Sequence, residues 1–109
     1  MDERMLISKI QEGDTGLFEE LISSYQRKIY SLALRILRNE EDAGDASQEA
    51  ILKIYRAIGS FQGKSSFSTW VYMVTRNACL DFIRRRAHIS EYEEGMPEYD
   101  CAPLYNPSA

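Results

Sequence analysis

Apolar positions recur at three- and four-residue steps over most of the first 88 residues, which is the spacing of one face of an α-helix. The pattern predicts a short opening helix from about Glu3 to Gln11 and a glycine-containing break at residues 13–16. Asp14 suits the N-cap of a long helix that ends near Arg38. The apolar stripe of this long helix consists of Phe18, Leu21, Ile22, Tyr25, Ile29, Leu32, Ala33 and Ile36.

A third helix is predicted from Glu40 to about Ile58, because acidic residues suit a helix N-terminus. Leu52 is the exception on its polar face. A lone exposed leucine is usually harmless, but one set among charges equally suits the apolar centre of a docking patch with a charged rim. The predicted inward face is Ala43, Ala46, Ala50, Ile51, Ile54, Tyr55, Ala57 and Ile58, and the rest of the polar face is Asp42, Asp45, Gln48, Glu49, Lys53 and Arg56.

The last predicted helix follows a loop of glycine, serine and lysine at residues 59–66, with a serine cap at 65 or 66, and ends near Ala87. Its apolar residues cover more than one side, which predicts either burial on several sides or an exposed surface with a function. One face carries Phe67, Trp70, Val71, Val74, Ala78 and Phe82, and Tyr72, Met73, Cys79, Leu80 and Ile83 occupy much of the remainder.

These elements predict an all-α compact bundle of one short and three long helices over residues 1–88. The three prolines all lie beyond residue 96, so they do not interrupt it. Residues 89–109 carry five acidic residues, no lysine or arginine and no helical period. They are therefore predicted to form an extended, flexible acidic linker.

Charge is distributed unevenly along the chain, whose formal net charge is −4. Residues 39–58 hold five acidic residues against Lys53 and Arg56. Residues 61–88 reverse this balance, with five basic residues against Asp81 alone. Such segregation predicts two surfaces with different partners rather than one catalytic pocket.

The sequence offers little for catalysis or metal binding. Cys79 and Cys101 lack metal-ligand spacing, and the single His88 does not complete a zinc site with them, so two free thiols are expected. No nucleotide-binding or hydrolase motif is present, which predicts a protein that is not an enzyme and needs no cofactor. With neither a secretion signal nor a membrane span in the sequence, a cytoplasmic location is expected.

The basic segment suits nucleic acid, because arginines neutralise phosphates and aromatic rings stack on unpaired bases. The alternative is that the arginines at Arg84–Arg86 only complement the helix dipole. Phe67 and Trp70 are predicted to be core residues. Phe61, in the loop beside Lys64, is the better candidate for contacting a base.

Two segments together resemble a known family. DASQEAILKIYRAIGSF followed by FSTWVYMVTRNACLDFIRRR looks like region 2 of a bacterial RNA polymerase sigma factor of the extracytoplasmic-function (ECF) group. LFEELISSYQRKIYSLALRIL resembles the opening helix of that region, so the resemblance spans residues 14–87. It implies a transcription initiation domain that binds core RNA polymerase and recognises and helps melt the promoter −10 element.

The resemblance also implies site residues. The DxxQE motif would dock on the clamp coiled coil of the polymerase β′ subunit through Asp45, Gln48 and Glu49. Leu52 and Arg56, which the helical spacing places on the same face, are added candidate contacts. The loop and the last helix would hold a base flipped from the non-template strand and the DNA backbone. The DNA-binding residues implied are Phe61, Lys64, Ser65, Ser66, Arg76, Asn77, Arg84 and Arg85.

Other expectations concern what lies around this domain. A −35-binding domain is expected after the acidic linker, so the chain reads as a piece of a longer protein or, alternatively, a one-domain member. An anti-sigma factor is a candidate partner, with Tyr72, Met73, Leu80 and Ile83 as its candidate surface. Two alternative functions stay open: a DNA-binding helical domain without polymerase contact, and a protein–protein interaction bundle.

Overall fold

The computed structural model describes residues 1–94, with side chains for residues 1–87, and the described part is entirely helical apart from its turns. The described residues fall into two compact units, of which the first is Met1–Cys79 and the second begins at Leu80. The elements, all helices, are α1 (Glu3–Gln11), α2 (Phe18–Ser23), α3 (Gln26–Leu37), α4 (Glu40–Ala57) and α5 (Phe67–Glu94), with single 3₁₀ turns at Thr15–Leu17 and Ile58–Ser60. The predicted all-α class is confirmed.

Helix α1 has the predicted bounds, and its N-cap is Asp2, whose carboxylate accepts a hydrogen bond from the Met5 amide at 2.8 Å. Leu6, Ile7 and Ile10 bury its inner face. The Tyr25 hydroxyl donates to a carboxylate oxygen of Glu3, which attaches the start of α1 to the bundle. Burial raises the pKa of Tyr25, and the bond to Glu3 raises it further.

The single long helix predicted over residues 14–38 is wrong in two places. The Asp14 side chain makes no capping hydrogen bond, and a 3₁₀ turn precedes α2. The helix then breaks between α2 and α3, where the hydroxyls of Ser23 and Ser24 donate to the carbonyls of Glu20 and Leu21 at 2.8 and 3.0 Å. Serine hydroxyls compete in this way with the helical backbone bonds.

The apolar stripe nevertheless continues across the break, because Leu21, Ile22, Tyr25 and Ile29 are all buried. Helix α3 lies against α4. Ala43, Ala46 and Ala50, each fully buried, share one face of α4. Small side chains on this face allow the two helix backbones to approach closely. The core of the first unit comprises Leu6, Ile7, Ile10, Phe18, Leu21, Ile22, Tyr25, Ile29, Ala50, Ile54, Ile58, Phe67, Val71 and Ala78.

Helix α5 extends beyond the predicted end at Ala87 to Glu94. Between Ala87 and Gly95 the sequence has no glycine or proline that would end a helix. The first residues of the predicted flexible linker are therefore helical, and the rest of that linker lies outside the described residues. Within residues 1–94, no helix is both long enough and apolar enough to cross a membrane.

Candidate functional site

The α4 patch, defined as Asp45, Gln48, Glu49, Leu52 and Arg56, lies on the outer face of helix α4. Asn39 fixes the start of this helix, since its side-chain oxygen accepts from the Asp42 amide at 2.8 Å. Four patch residues are exposed, and Glu49 is half-buried. Leu52 is 46% exposed, an apolar side chain set among polar ones, as the sequence pattern predicts.

A shallow depression of about 400 Å³ adjoins Leu52 and brings in residues that sequence reasoning missed. Tyr55 was predicted to face inward, but it is 42% exposed. Its ring packs edge-on against Phe18, with centroids 5.0 Å apart, at the margin of the core. The helical periodicity detected Tyr55 but not its position at the surface. The depression is lined by Phe18, Gln48, Glu49, Ile51, Leu52 and Tyr55.

The 61–66 loop connects α4 to α5 and presents Lys64, Ser65 and Ser66 to solvent. Gly63 turns the chain with φ of +74°, a conformation that favours glycine. The predicted serine cap is Ser66, whose hydroxyl oxygen accepts from the Thr69 amide at 3.0 Å. That bond fixes where the loop ends and α5 begins.

Phe61 anchors the other end of the loop in an aromatic cluster. Its ring lies 5.4 Å from Phe67 and 5.1 Å from Trp70, measured between centroids. Phe67 is buried and Trp70 is half-buried against the core, as predicted. Phe61 is itself half-buried, so part of its ring packs inward and the remainder stays accessible.

A groove of about 450 Å³ separates the loop from α1. The contribution of α1 to this side of the loop was not predicted, because α1 shows only an ordinary amphipathic pattern. Asn77 does not line the groove, and the helical rise places it roughly 10 Å beyond Trp70 along α5. The lining residues are Glu3, Arg4, Ile7, Ser8, Gln11, Phe61, Gln62, Gly63, Ser65, Ser66 and Phe67.

The predicted DNA-binding residues of α5 fall in both compact units. In the first unit, Asn77 is exposed and Arg76 is half-buried. In the second unit, the Arg84 guanidinium pairs with the Asp81 carboxylate at 2.7 Å. The Arg85 guanidinium lies 5.9 Å from the centre of the Phe82 ring. Both Arg84 and Arg85 are exposed.

The apolar surface expected on α5 is smaller than predicted. Tyr72 and Met73 are about half exposed, at 49% and 48%, but Leu80 and Cys79 are buried. Burial raises the pKa of the Cys79 thiol to about 11, and the nearby charge of Glu49 adds to the rise. Among the described residues, no cluster of three or more metal-ligating side chains is present.

Comparison with known proteins places this geometry in a family. Residues 21–89 match the family described as Sigma-70 region 2. The chain is 37% identical over 84 residues to RNA polymerase sigma-H factor of Pseudomonas aeruginosa, covering 77% of this chain and 44% of that protein. It is 38% identical over 80 residues to ECF RNA polymerase sigma factor SigW of Bacillus subtilis, covering 73% and 43%. The chain thus spans less than half the length of these relatives.

A solved structure has a similar fold. An engineered region 2 of sigmaE, determined by NMR in complex with GTAAAA, superimposes with a TM-score of 0.73 at 34% identity. The match covers 79% of this chain and 90% of that one. On the family match and these relatives together, the chain belongs to the sigma-70 region 2 family, within the extracytoplasmic-function group.

Proposed function

We propose that this chain is the part of a transcription initiation factor that joins core RNA polymerase to promoter DNA. The α4 patch binds the clamp coiled coil of the β′ subunit. The 61–66 loop and α5 bind the non-template strand of the −10 element and help melt it. The same proposal has four further parts. The region 2 domain ends at His88, and a −35-binding domain follows the acidic segment. The protein is cytoplasmic, and it catalyses no reaction.

The observation that carries the polymerase-binding role is the exposed Leu52 at an apolar depression that Glu49 also lines. Docking surfaces of this kind combine an apolar centre with a charged rim. Asp45 and Glu49 suit charge-assisted pairing with basic side chains on a partner helix. On a purely solvated helix face, in contrast, an exposed leucine has no apolar partner to contact.

The DNA-binding role is supported by the exposed amide of Asn77, the cations Lys64 and Arg76, and the accessible part of the Phe61 ring. An asparagine amide can donate to and accept from one base edge, and an aromatic ring can stack on an unpaired base. Asn77 and the loop are separated along α5, so we assign them to neighbouring nucleotides. Arg84 and Arg85 contribute contacts to phosphates.

The polymerase contact is tested by reversing two charges of the α4 patch. We expect Asp45→Arg with Glu49→Arg to weaken binding to core polymerase by about a hundredfold or more, since like charges then face each other. The measurement is affinity for purified core enzyme by fluorescence anisotropy, with helix content checked by circular dichroism.

The matched control for this experiment is Glu12→Arg with Asp14→Arg, which makes the same charge change at exposed positions outside the patch. It should keep most of the affinity. Equal affinities for the two double variants would contradict the docking proposal and favour a DNA-binding domain without polymerase contact.

The DNA contact is tested with two variants on single-stranded hexamers derived from GTAAAA by single base changes. Asn77→Ala should reduce the preference among hexamers by about fivefold or more, because it removes a base-edge contact. Arg84→Ala should weaken binding to all hexamers alike and reduce the slope of log affinity against log salt by about 0.7. No binding to any hexamer by the parent chain would favour the protein–protein interaction bundle instead.

An anti-sigma factor stays a proposed partner, with Tyr72 and Met73 as its contact residues in the first unit. Leu80 no longer belongs to this surface because it is buried.

A further inference from the structure

Gln11, the last residue of α1, is bonded to two backbone carbonyls far away in sequence. Its side-chain Nε2 donates to the carbonyl of Ile58 at 2.9 Å and to the carbonyl of Phe61 at 2.9 Å. A glutamine amide has two N–H donors, and this arrangement uses both. The two carbonyls bracket the turn by which the chain leaves α4 and enters the 61–66 loop.

Phe61 is consequently held through its backbone and its side chain. Its own amide donates to the carbonyl of Ile58 at 3.1 Å, its carbonyl accepts from Gln11, and its ring packs against Phe67 and Trp70. The rest of the loop starts from this residue. A shift of Phe61 would therefore shift the loop and reshape the α1–loop groove, of which Gln11 is a wall.

Helix α1, which carries Gln11, is itself held in place at both its inner face and its first turn. Three of its side chains are buried in the core, and Glu3 accepts a hydrogen bond from Tyr25 at the other end of the helix. Packing of α1 in the bundle therefore fixes the position of Gln11. The two hydrogen bonds of Gln11 in turn fix the start of the loop. The side chain itself is exposed and belongs to no buried polar network.

We propose that Gln11 is a positioning residue for base recognition: α1, through the two hydrogen bonds of Gln11, holds the 61–66 loop in the shape that discriminates between bases. This inference rests on the proposed DNA-binding function. Gln11 acts through the loop, so its loss lowers discrimination between sequences more than it lowers affinity for phosphates.

The test replaces Gln11 by methionine, which has nearly the same size and no charge but cannot donate. The matched control is Gln26→Met, the same replacement at an exposed position on α3. Each full chain is titrated with the hexamer GTAAAA and its single-base variants, followed by fluorescence anisotropy. For Gln11→Met we expect the ratio between the best and worst hexamers to fall by about threefold to tenfold, as for the loss of one or two hydrogen bonds. Gln26→Met should leave the ratio unchanged.

A second variant distinguishes an effect of Gln11 on the position of the loop from an effect on folding of the whole chain. Gln11→Lys keeps donors able to reach the carbonyls, and its added charge acts on every hexamer equally, so the ratio should return most of the way to the parent value. Amide hydrogen exchange should be faster at residues 62–66 in Gln11→Met than in Gln11→Lys.

Two results would overturn the inference. One is an unchanged ratio in Gln11→Met while Asn77→Ala lowers it, which leaves the proposed DNA-binding function intact. The other is an equal loss in Gln11→Met and Gln11→Lys with unchanged loop exchange. A parent chain with no preference among hexamers would remove the proposed function and this inference together.

Discussion

Cys79 is a fully buried thiol whose ionisation the fold opposes. Because burial raises its pKa from 9.0 to about 11, the thiolate is disfavoured in the folded state only. Below pH 9 both the folded and the unfolded thiol are protonated. Between pH 9 and 11 the unfolded thiol loses its proton first, so the free energy of unfolding must fall with pH over that window.

We therefore expect the Cys79 thiol to account for a loss of about 2–3 kcal/mol in the free energy of unfolding across this window. The measurement is urea unfolding at a series of pH values, comparing Cys101→Ser with the double variant that also carries Cys79→Ala. The pH slope should be steeper in the single variant. Identical slopes, or rapid alkylation of Cys79 in the folded chain at neutral pH, would contradict the assignment.

At the scale of single residues, the sequence predicts local features such as a helix cap more reliably than it predicts the burial of a side chain. Leu52 and Ser66 behave as the sequence predicts, since an apolar residue on a polar helix face and a serine before a helix are both local signals. Tyr55 and Leu80 do not, because burial of a side chain at the margin of a face depends on which neighbour covers it. That neighbour is known only from the tertiary structure.

At the scale of elements, two positions near the junction of α3 and α4 carry residues that do not suit their backbone conformation. They are Arg38 and Gly44. Arg38 ends α3 in the left-handed conformation, with φ of 57°, where glycine has no Cβ penalty. Gly44 lies inside α4, where alanine is the better helix former, and a Cβ added there meets nothing within 4 Å. The two positions therefore call for opposite substitutions.

We expect Arg38→Gly and Gly44→Ala each to raise the free energy of unfolding by about 0.5–1 kcal/mol. The measurement is urea unfolding followed by circular dichroism at a helix band. Arg38→Ala is the control for the first variant, because it removes the side chain and keeps the Cβ, and it should not stabilise. A gain for Arg38→Ala equal to that for Arg38→Gly would show that the side chain, not the backbone conformation, is the cause.

The helices themselves could be predicted because their periodicity is strong, and the bounds of α1 are those that the pattern indicates. The interruptions could not. The break at Ser23 and Ser24 leaves the apolar stripe in register, so periodicity gives no sign of it. The sequence pattern likewise gave no sign of the groove between α1 and the 61–66 loop. Its two walls come from segments about 50 residues apart, which the side chain of Gln11 connects.

For the whole molecule, the segregation of charge along the sequence corresponds to separate surfaces in the first compact unit. The exposed carboxylate of Asp45 lies on α4, whereas Lys64 lies in the loop that follows that helix. A net charge of −4 therefore says little about nucleic-acid binding, because the acidic and basic groups belong to different elements. In the proposed function, this division separates the surface for the protein partner from the surface for the nucleic acid.

Trp70, which packs against Phe61 at the entrance of the loop, is the only tryptophan in the sequence. Its emission on selective excitation therefore arises from a single site, and that site touches the residue from which the loop starts. Movement of the Phe61 ring would change how much water reaches the indole and so shift the emission wavelength. The protein carries an intrinsic optical reporter of its loop, readable without an attached dye.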